Sequence, residues 1–171
     1  MSTNNLNLNL IPLHKNAENL IPFYGTQASA CFDIKADIET REISFYTRYN
    51  VKQKVTAQPF IIKPYSRVLI PTGFIFVIPD GYSMRLHPRS GYGWKHGITL
   101  MNSEGIIDSD YPNETFVMLH NTTSTPFPVV HGDRVAQAEL VKRNQVEFNV
   151  LPIGAEFSQQ TDRVGGFGST S

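Results

Sequence analysis

Between Met101 and Glu114 the sequence reads M-N-S-E-G-I-I-D-S-D-Y-P-N-E, a polar group dense enough to do chemistry. Asp108 is its unusual member. It follows Ile106 and Ile107 directly, and a carboxylate between apolar neighbours is expected to be poorly hydrated and so a better proton acceptor. Tyr111 offers a flat face three residues on, Gly105 suits a backbone reversal or a close approach to a ligand, and Ser109-Asp110 and Pro112-Asn113 are turn pairs. The same letters also describe an ordinary polar loop, so other segments have to decide.

Four further groups carry complementary chemistry. Pro88-Arg89-Ser90-Gly91 ends an apolar run and brings backbone N–H groups, a hydroxyl and a guanidinium together, the parts of a phosphate cradle, although a simple turn explains the tetrapeptide as well. Asp33 lies between Phe32 and Ile34; backbone N–H groups satisfying it is the plainer reading, and direct ligand contact the alternative. Gln137 stands in an otherwise core-like run and reads either as a contact or as a strand residue facing outward. The last stretch, from Arg163 through Phe167, Gly168, Ser169 and Thr170, holds too little apolar surface to order itself. It has the means to clamp a phosphorylated aromatic ligand: guanidinium and hydroxyls on phosphate, ring on base.

The elements that position these groups read as strands. Short Val-, Ile- and Phe-rich runs recur between turn signals, with 11 Pro and 12 Gly and no sustained helical period, which predicts an all-β domain. Expected strands include Leu6 to Leu10, Phe32 and Ile34 and their neighbours, the run from Phe60, Arg67 to the Pro79-Asp80-Gly81 turn, Met84 to His87, Ile98 to Leu100, Phe116 to Leu119, the segment opening at His131, and Gln145 to Leu151. Residues 1–171 form a single domain, with residues 39–58 an insertion in an early connection and residues 153–171 a flexible C-terminal tail. Alternation is poor after Phe45, so Glu39 to Gln58 is expected to leave the core, and removing it is expected to leave the fold intact, since loop length affects stability only logarithmically.

Composition excludes several functions. Net charge is zero and no Lys/Arg block occurs, so the footprint of a protein that binds nucleic acid polymers is missing. Cys31 is the only cysteine, which rules out an internal disulfide and the cysteine-pair zinc site of zinc-dependent nucleoside deaminases; none of the five histidines has the spacing of a ligand pair. A soluble chain in a reducing, cytoplasmic setting is expected, with neither signal peptide nor membrane span.

Taken in order, S-A-C-F-D-I, P-R-S-G, N-S-E-G-I-I-D-S-D-Y, G-D-R-V-A-Q and R-V-G-G-F-G-S-T-S resemble the five motifs of the trimeric deoxyuridine triphosphate nucleotidohydrolases, the dUTPases. The resemblance implies a distorted jelly-roll β-barrel, a homotrimer with sites at subunit interfaces closed by the C-terminal tail, and Mg2+-dependent hydrolysis of dUTP to dUMP and pyrophosphate, which limits uracil in DNA and supplies dUMP for thymidylate synthesis. It further implies that Asn102 and the backbone at Gly105 and Ile106 read the uracil edge, that Tyr111 lies against the deoxyribose, and that Asp108 activates the water. Arg89, Ser90, Gly91 and Gln137 would contact phosphates, Asp33 would lie near a metal held mainly by the substrate phosphates, and Arg163, Phe167, Gly168, Ser169 and Thr170 would cover the nucleotide.

This sequence departs from the pattern at three places. Cys31 replaces a usual Gly, Asn113 replaces another, and one residue fewer separates Arg163 from Gly165-Gly166. Two alternative readings are a dCTP deaminase of the same fold, and a nucleotide-gated interaction protein in which residues 39–58 contact an unknown protein partner.

Overall fold

Runs in which every second residue is apolar build the framework, because such a run buries one face of a strand and leaves the other free. Phe32–Lys35, Ile43–Tyr46 and Tyr82–His87 all do so, burying Phe32, Ile34, Ile43, Phe45, Met84 and Leu86. A computed structural model, which describes residues 6–155, arranges the runs as two five-stranded antiparallel sheets around one core, in a jelly-roll-like architecture.

One sheet runs, edge to edge, β11 (Gly105–Asp108), β9 (Tyr82–His87), β14 (Arg134–Lys142), β3 (Phe32–Lys35) and β2 (Phe23–Tyr24). The other runs β10 (Ile98–Leu100), β12 (Phe116–Asn121), β7 (Arg67–Pro71), β4 (Ile43–Tyr46) and β5 (Lys52–Val55). Two short pairs, β1 (Asn9–Pro12) with β8 (Phe74–Val77) and β6 (Phe60–Ile62) with β13 (Phe127–Val129), close the ends. Ile34, Ile38, Ile70, Ile98, Val117, Leu119 and Val135 are fully buried between the layers.

Four sequence expectations change. Residues 39–58 are not outside the core: β4 and β5 form a hairpin that extends the second sheet, β4 pairs with β7, and Ile43 and Phe45 are buried. Of the hairpin's two strands only β5 is fully exposed, and its charged residues obscure the alternation that β4 obeys. Gln145 to Leu151 forms no strand and pairs with nothing among the described residues. Its alternate apolar residues Val146, Phe148 and Val150 all face outward, Phe148 at 89% exposure, as in a strand whose partner lies elsewhere. The apolar run after Arg67 is two strands, β7 and β8, divided at Thr72-Gly73. Finally, Ser90–His96 forms α1, a seven-residue helix closed by Gly97 in the left-handed conformation (φ 62°), with Lys95 and His96 in the last turn where positive charge is favourable.

Candidate active site

The sheet β11-β9-β14-β3 turns one face to the core and the other outward, and the outward face collects the residues with chemistry. Regular alternation on β14 would put Arg134 and Gln137 on opposite faces. A register shift between Arg134 and Ala136 absorbs one residue, so Val135 and Ala136 are both buried while Arg134 stands opposite Lys35 and Gln137 opposite Asp33, on one face.

Around that bulge lies an arginine-rich cluster. Asp33, 14% exposed, accepts a hydrogen bond from Arg134 Nη1 (3.1 Å) and pairs with Arg89 Nε (3.5 Å). It is satisfied by guanidinium groups and not by the backbone N–H groups expected for a lone strand Asp, because the bulge aims Arg134 across β3. Arg89 Nη1 donates to Arg134 O (2.8 Å) and its guanidinium lies over the Tyr92 ring, 5.2 Å from the centroid. Gln137 Nε2 donates to Pro88 O (3.1 Å), tying β14 to the start of the Pro88–Gly91 segment. Ser90 and Gly91 begin α1, so their N–H groups have no intrahelical acceptor. A Cβ added at Gly91 would meet nothing within 4 Å; packing inside the chain does not demand glycine there. Two guanidinium groups against one carboxylate leave the cluster positive, with donors to spare for an anion.

Asp108 ends β11 at the sheet's edge, opposite Ser83. It is exposed, as is Ile106 on the same face at 53%. The sequence expectation of a poorly hydrated carboxylate therefore fails for the single chain: Ile106 shares its face without covering it, and Ile107 points inward. The reversal before β11 is made by Ser103 (φ 61°), not by Gly105. Gly105 is instead a packing glycine, since a Cβ there would lie 3.0 Å from Leu86 Cβ. Asn102 is exposed in the turn, Tyr111 N–H donates to Asp108 O (3.2 Å), and Tyr111 OH donates to Glu114 O (3.3 Å). Among the described residues β11 pairs only with β9, so alternate backbone groups on its other side are available to a flat polar ligand.

Behind this loop sits a second ionic cluster. Asp37, 2% exposed, accepts from Arg41 Nη1 (2.8 Å) and pairs with His14 Nε2 (2.7 Å). Arg41 Nη2 reaches Glu114 Oε2 (2.6 Å), and Gly73 N–H donates to Glu114 Oε1 (2.9 Å). Burial works against the Arg41 charge, but Glu114 and Asp37 together hold its pKa above the usual arginine value. Gly73 adopts φ 79°, and a Cβ there would fall 2.8 Å from Asp37 Oδ2.

The structure thus brings Asp33, Arg89, Ser90, Gly91 and Gln137 together, and separately Asn102, Gly105, Ile106, Asp108 and Tyr111. Two strand spacings across and four residues along, from Asp108 opposite Ser83 to Gln137 opposite His87, set those Cα atoms about 16 Å apart. Arg163, Phe167, Gly168, Ser169 and Thr170 lie outside the described residues. Sequence reading missed Arg134 and Tyr92 as partners of Arg89; Arg134 was visible within G-D-R-V-A-Q but undistinguished without the bulge. Tyr92 has its pKa raised by burial, with Asp133 adding to the effect.

The dUTPase family model matches residues 54–171. The deoxyuridine 5'-triphosphate nucleotidohydrolase of Rhizobium leguminosarum bv. trifolii is 38% identical over 164 residues, covering 95% of this chain and 92% of the relative. Among solved structures, the Streptococcus mutans dUTPase is 27% identical with a TM-score of 0.64, over 82% of this chain and 98% of that one. A point mutant of the dUTPase from phage phi11 of S. aureus, in which a structural Mg(II) ion is coordinated, shares the fold at 19% identity with a TM-score of 0.66, over 85% of this chain and 97% of that one. None of these relatives supports a separate protein partner at residues 39–58.

Proposed function

The chain belongs to the dUTPase family and hydrolyses dUTP to dUMP, and from that premise we propose that each site is completed by different copies of the chain in a homotrimer. The observation that carries this is that Asp108 and Gln137, whose Cα atoms lie about 16 Å apart on one sheet face, leave the water-activating and the phosphate contacts as two half-sites on a single chain. Exposed Val146, Phe148 and Val150, and Ile106 uncovered beside Asp108, support burial against neighbouring copies.

In this mechanism the free edge of β11 with Asn102 holds the uracil, and a base lacking the matching donors and acceptors leaves polar groups unpaired. Tyr111 lies against the deoxyribose. Asp108 of one copy takes the proton of a water that attacks the α-phosphorus in line as pyrophosphate leaves. Arg89, Ser90, Gly91 and Gln137 of another copy hold the triphosphate and spread its charge. Arg163, Ser169 and Thr170 meet the terminal phosphates, and Phe167 with Gly168 covers the base, a role resting on their types. Among the described residues Asp33 is the one carboxylate in the arginine cluster, and both its oxygens face guanidinium groups, so it suits contact with a metal's waters better than direct ligation. A magnesium ion carried by the phosphates would supply charge neutralisation there. The proposed setting is the reducing cytoplasm, consistent with a single free thiol; no described helix is long and apolar enough to cross a membrane.

Mixing chains tests the proposal. Asp108→Asn and Arg89→Ala proteins should each hydrolyse dUTP poorly, yet co-refolded together they should regain a substantial fraction of wild-type activity. Mixed oligomers that form and remain inactive would refute the shared site, while poor dUTP turnover by the wild-type chain would refute the activity.

A further inference from the structure

On the outward face of β3, β9 and β14, beside the arginine cluster, Cys31 Sγ, a His87 ring nitrogen and a Glu139 carboxylate oxygen all lie within 4.8 Å of one another. No step of dUTP hydrolysis uses them. They come from three chain segments: Cys31 precedes β3, His87 ends β9, and Glu139 lies two residues past Gln137 on β14. His87 Nε2 is 3.1 Å from Glu139 Oε1, and its other nitrogen, Nδ1, is 3.7 Å from Glu104 Oε1. Glu104 is held in turn by Arg85 Nη1 at 2.9 Å.

From this geometry we propose that Cys31, His87 and Glu139 form a binding site for a borderline transition-metal dication of the zinc type, with Glu104 orienting His87 from behind. Metal–ligand bonds of about 2.0 to 2.3 Å place tetrahedral donors roughly 3.5 Å apart; His87 and Glu139 already stand at 3.1 Å, and the widest separation in the trio, no more than 4.8 Å, has to close by about 1 Å. A carboxylate hydrogen-bonded to the far nitrogen fixes the tautomer and direction of a metal-bound histidine, and Glu104, 3.7 Å away, reaches that bond with a shift of under about 1 Å. Thiolate and imidazole donors favour zinc or cobalt over magnesium, which prefers oxygen, and three protein ligands leave a fourth position for water. Burial, with Glu139 nearby, raises the Cys31 pKa, so the thiol gives its proton to solvent when the cation binds. With the thiolate formed, a dication cancels the formal charge of Cys31, Glu139, Glu104 and Arg85. The site fastens three segments at the end where Asp33, Arg89 and Gln137 gather, and it rests on Cys31, which stands where the family's first motif usually has glycine.

The test is a titration of the metal-stripped full chain with Co2+ and, by competition against a chromophoric chelator, with Zn2+. One equivalent per chain should bind, with a thiolate-to-cobalt charge-transfer band and a rise in melting temperature, and excess Mg2+ should not displace it. Cys31→Ser should abolish the band, and His87→Ala should abolish tight binding. Glu104→Gln should keep the band and weaken affinity about 10- to 100-fold. His96→Ala should change nothing, and circular dichroism establishes that each variant is folded. If Cys31→Ser fails to fold, the His87→Ala and Glu104→Gln proteins decide the matter. Absence of the cobalt band in wild type, or its survival in His87→Ala, overturns the proposal.

Discussion

Two clusters of arginine and aspartate in this molecule use the same residue types to opposite ends. Asp37, Arg41, Glu114 and His14 close on one another: both terminal Arg41 nitrogens have carboxylate partners, Asp37 is 2% exposed, and a glycine N–H fills the remaining Glu114 oxygen. Asp33, Arg89, Arg134 and Gln137 stay open. There two guanidinium groups share one carboxylate, and one of them leans on an aromatic ring at the protein's surface. A closed cluster spends its donors on the fold, and removing a member strands a buried charge. An open cluster keeps donors for a ligand, so removing a member should cost activity and little stability.

The harshest way to break the closed cluster is to delete residues 39–58 and bridge the gap. This removes Arg41 together with buried Ile43 and Phe45, and truncating such core residues costs about 2 to 5 kcal/mol each, against a total stability of about 5 to 15 kcal/mol. Loss of cooperative unfolding is expected, measured by urea denaturation; a folded, active deletion protein would return the segment to the role of a dispensable loop. On the functional side, Asp108→Asn should lower turnover about 10²- to 10⁴-fold, leaving affinity for a non-hydrolysable dUTP analogue and melting temperature nearly unchanged, since its side chain is exposed. Single-turnover kinetics and analogue titration separate the two.

Paired substitutions sharpen the contrast. Arg89→Ala should reduce kcat/KM about 10²- to 10³-fold with little change in melting temperature. Arg41→Ala should do the reverse, lowering unfolding free energy by about 3 kcal/mol while turnover per folded chain is kept. If both variants lose stability alike, the open cluster is structural as well. The mildest change is Gly91→Ala: with free space inside the chain, stability should shift by less than about 1 kcal/mol. Any loss of dUTP turnover then reports what approaches Gly91 in the assembled site.

Much of this was legible in the sequence. Alternation marked β3 and β10, because a strand buried on one face repeats every second residue, an apolar β-favouring run marked β12, and the five ordered motifs pointed to the family and its reaction. Composition also limited the metal chemistry that adjacent cysteines or spaced histidines could offer. What sequence misjudged follows from partners it cannot display. β4 looked like a loop because its hairpin mate β5 is wholly exposed, and Gln145 to Leu151 looked like a strand although no edge among the described residues receives it. Asp108 looked desolvated because chain neighbours are not spatial neighbours in a sheet.

Only the tertiary structure put Arg134 and Gln137 on one face, since a one-residue bulge inverts the alternation that sequence counts on. It alone gathered Cys31, His87 and Glu139, whose spacing follows no ligand pattern because lateral pairing of strands, not separation along the chain, sets their distance. It also separated Asp108 from Arg89. A motif records which side chains a reaction needs, whereas strand order and spacing decide whether one chain can bring them to a single phosphorus.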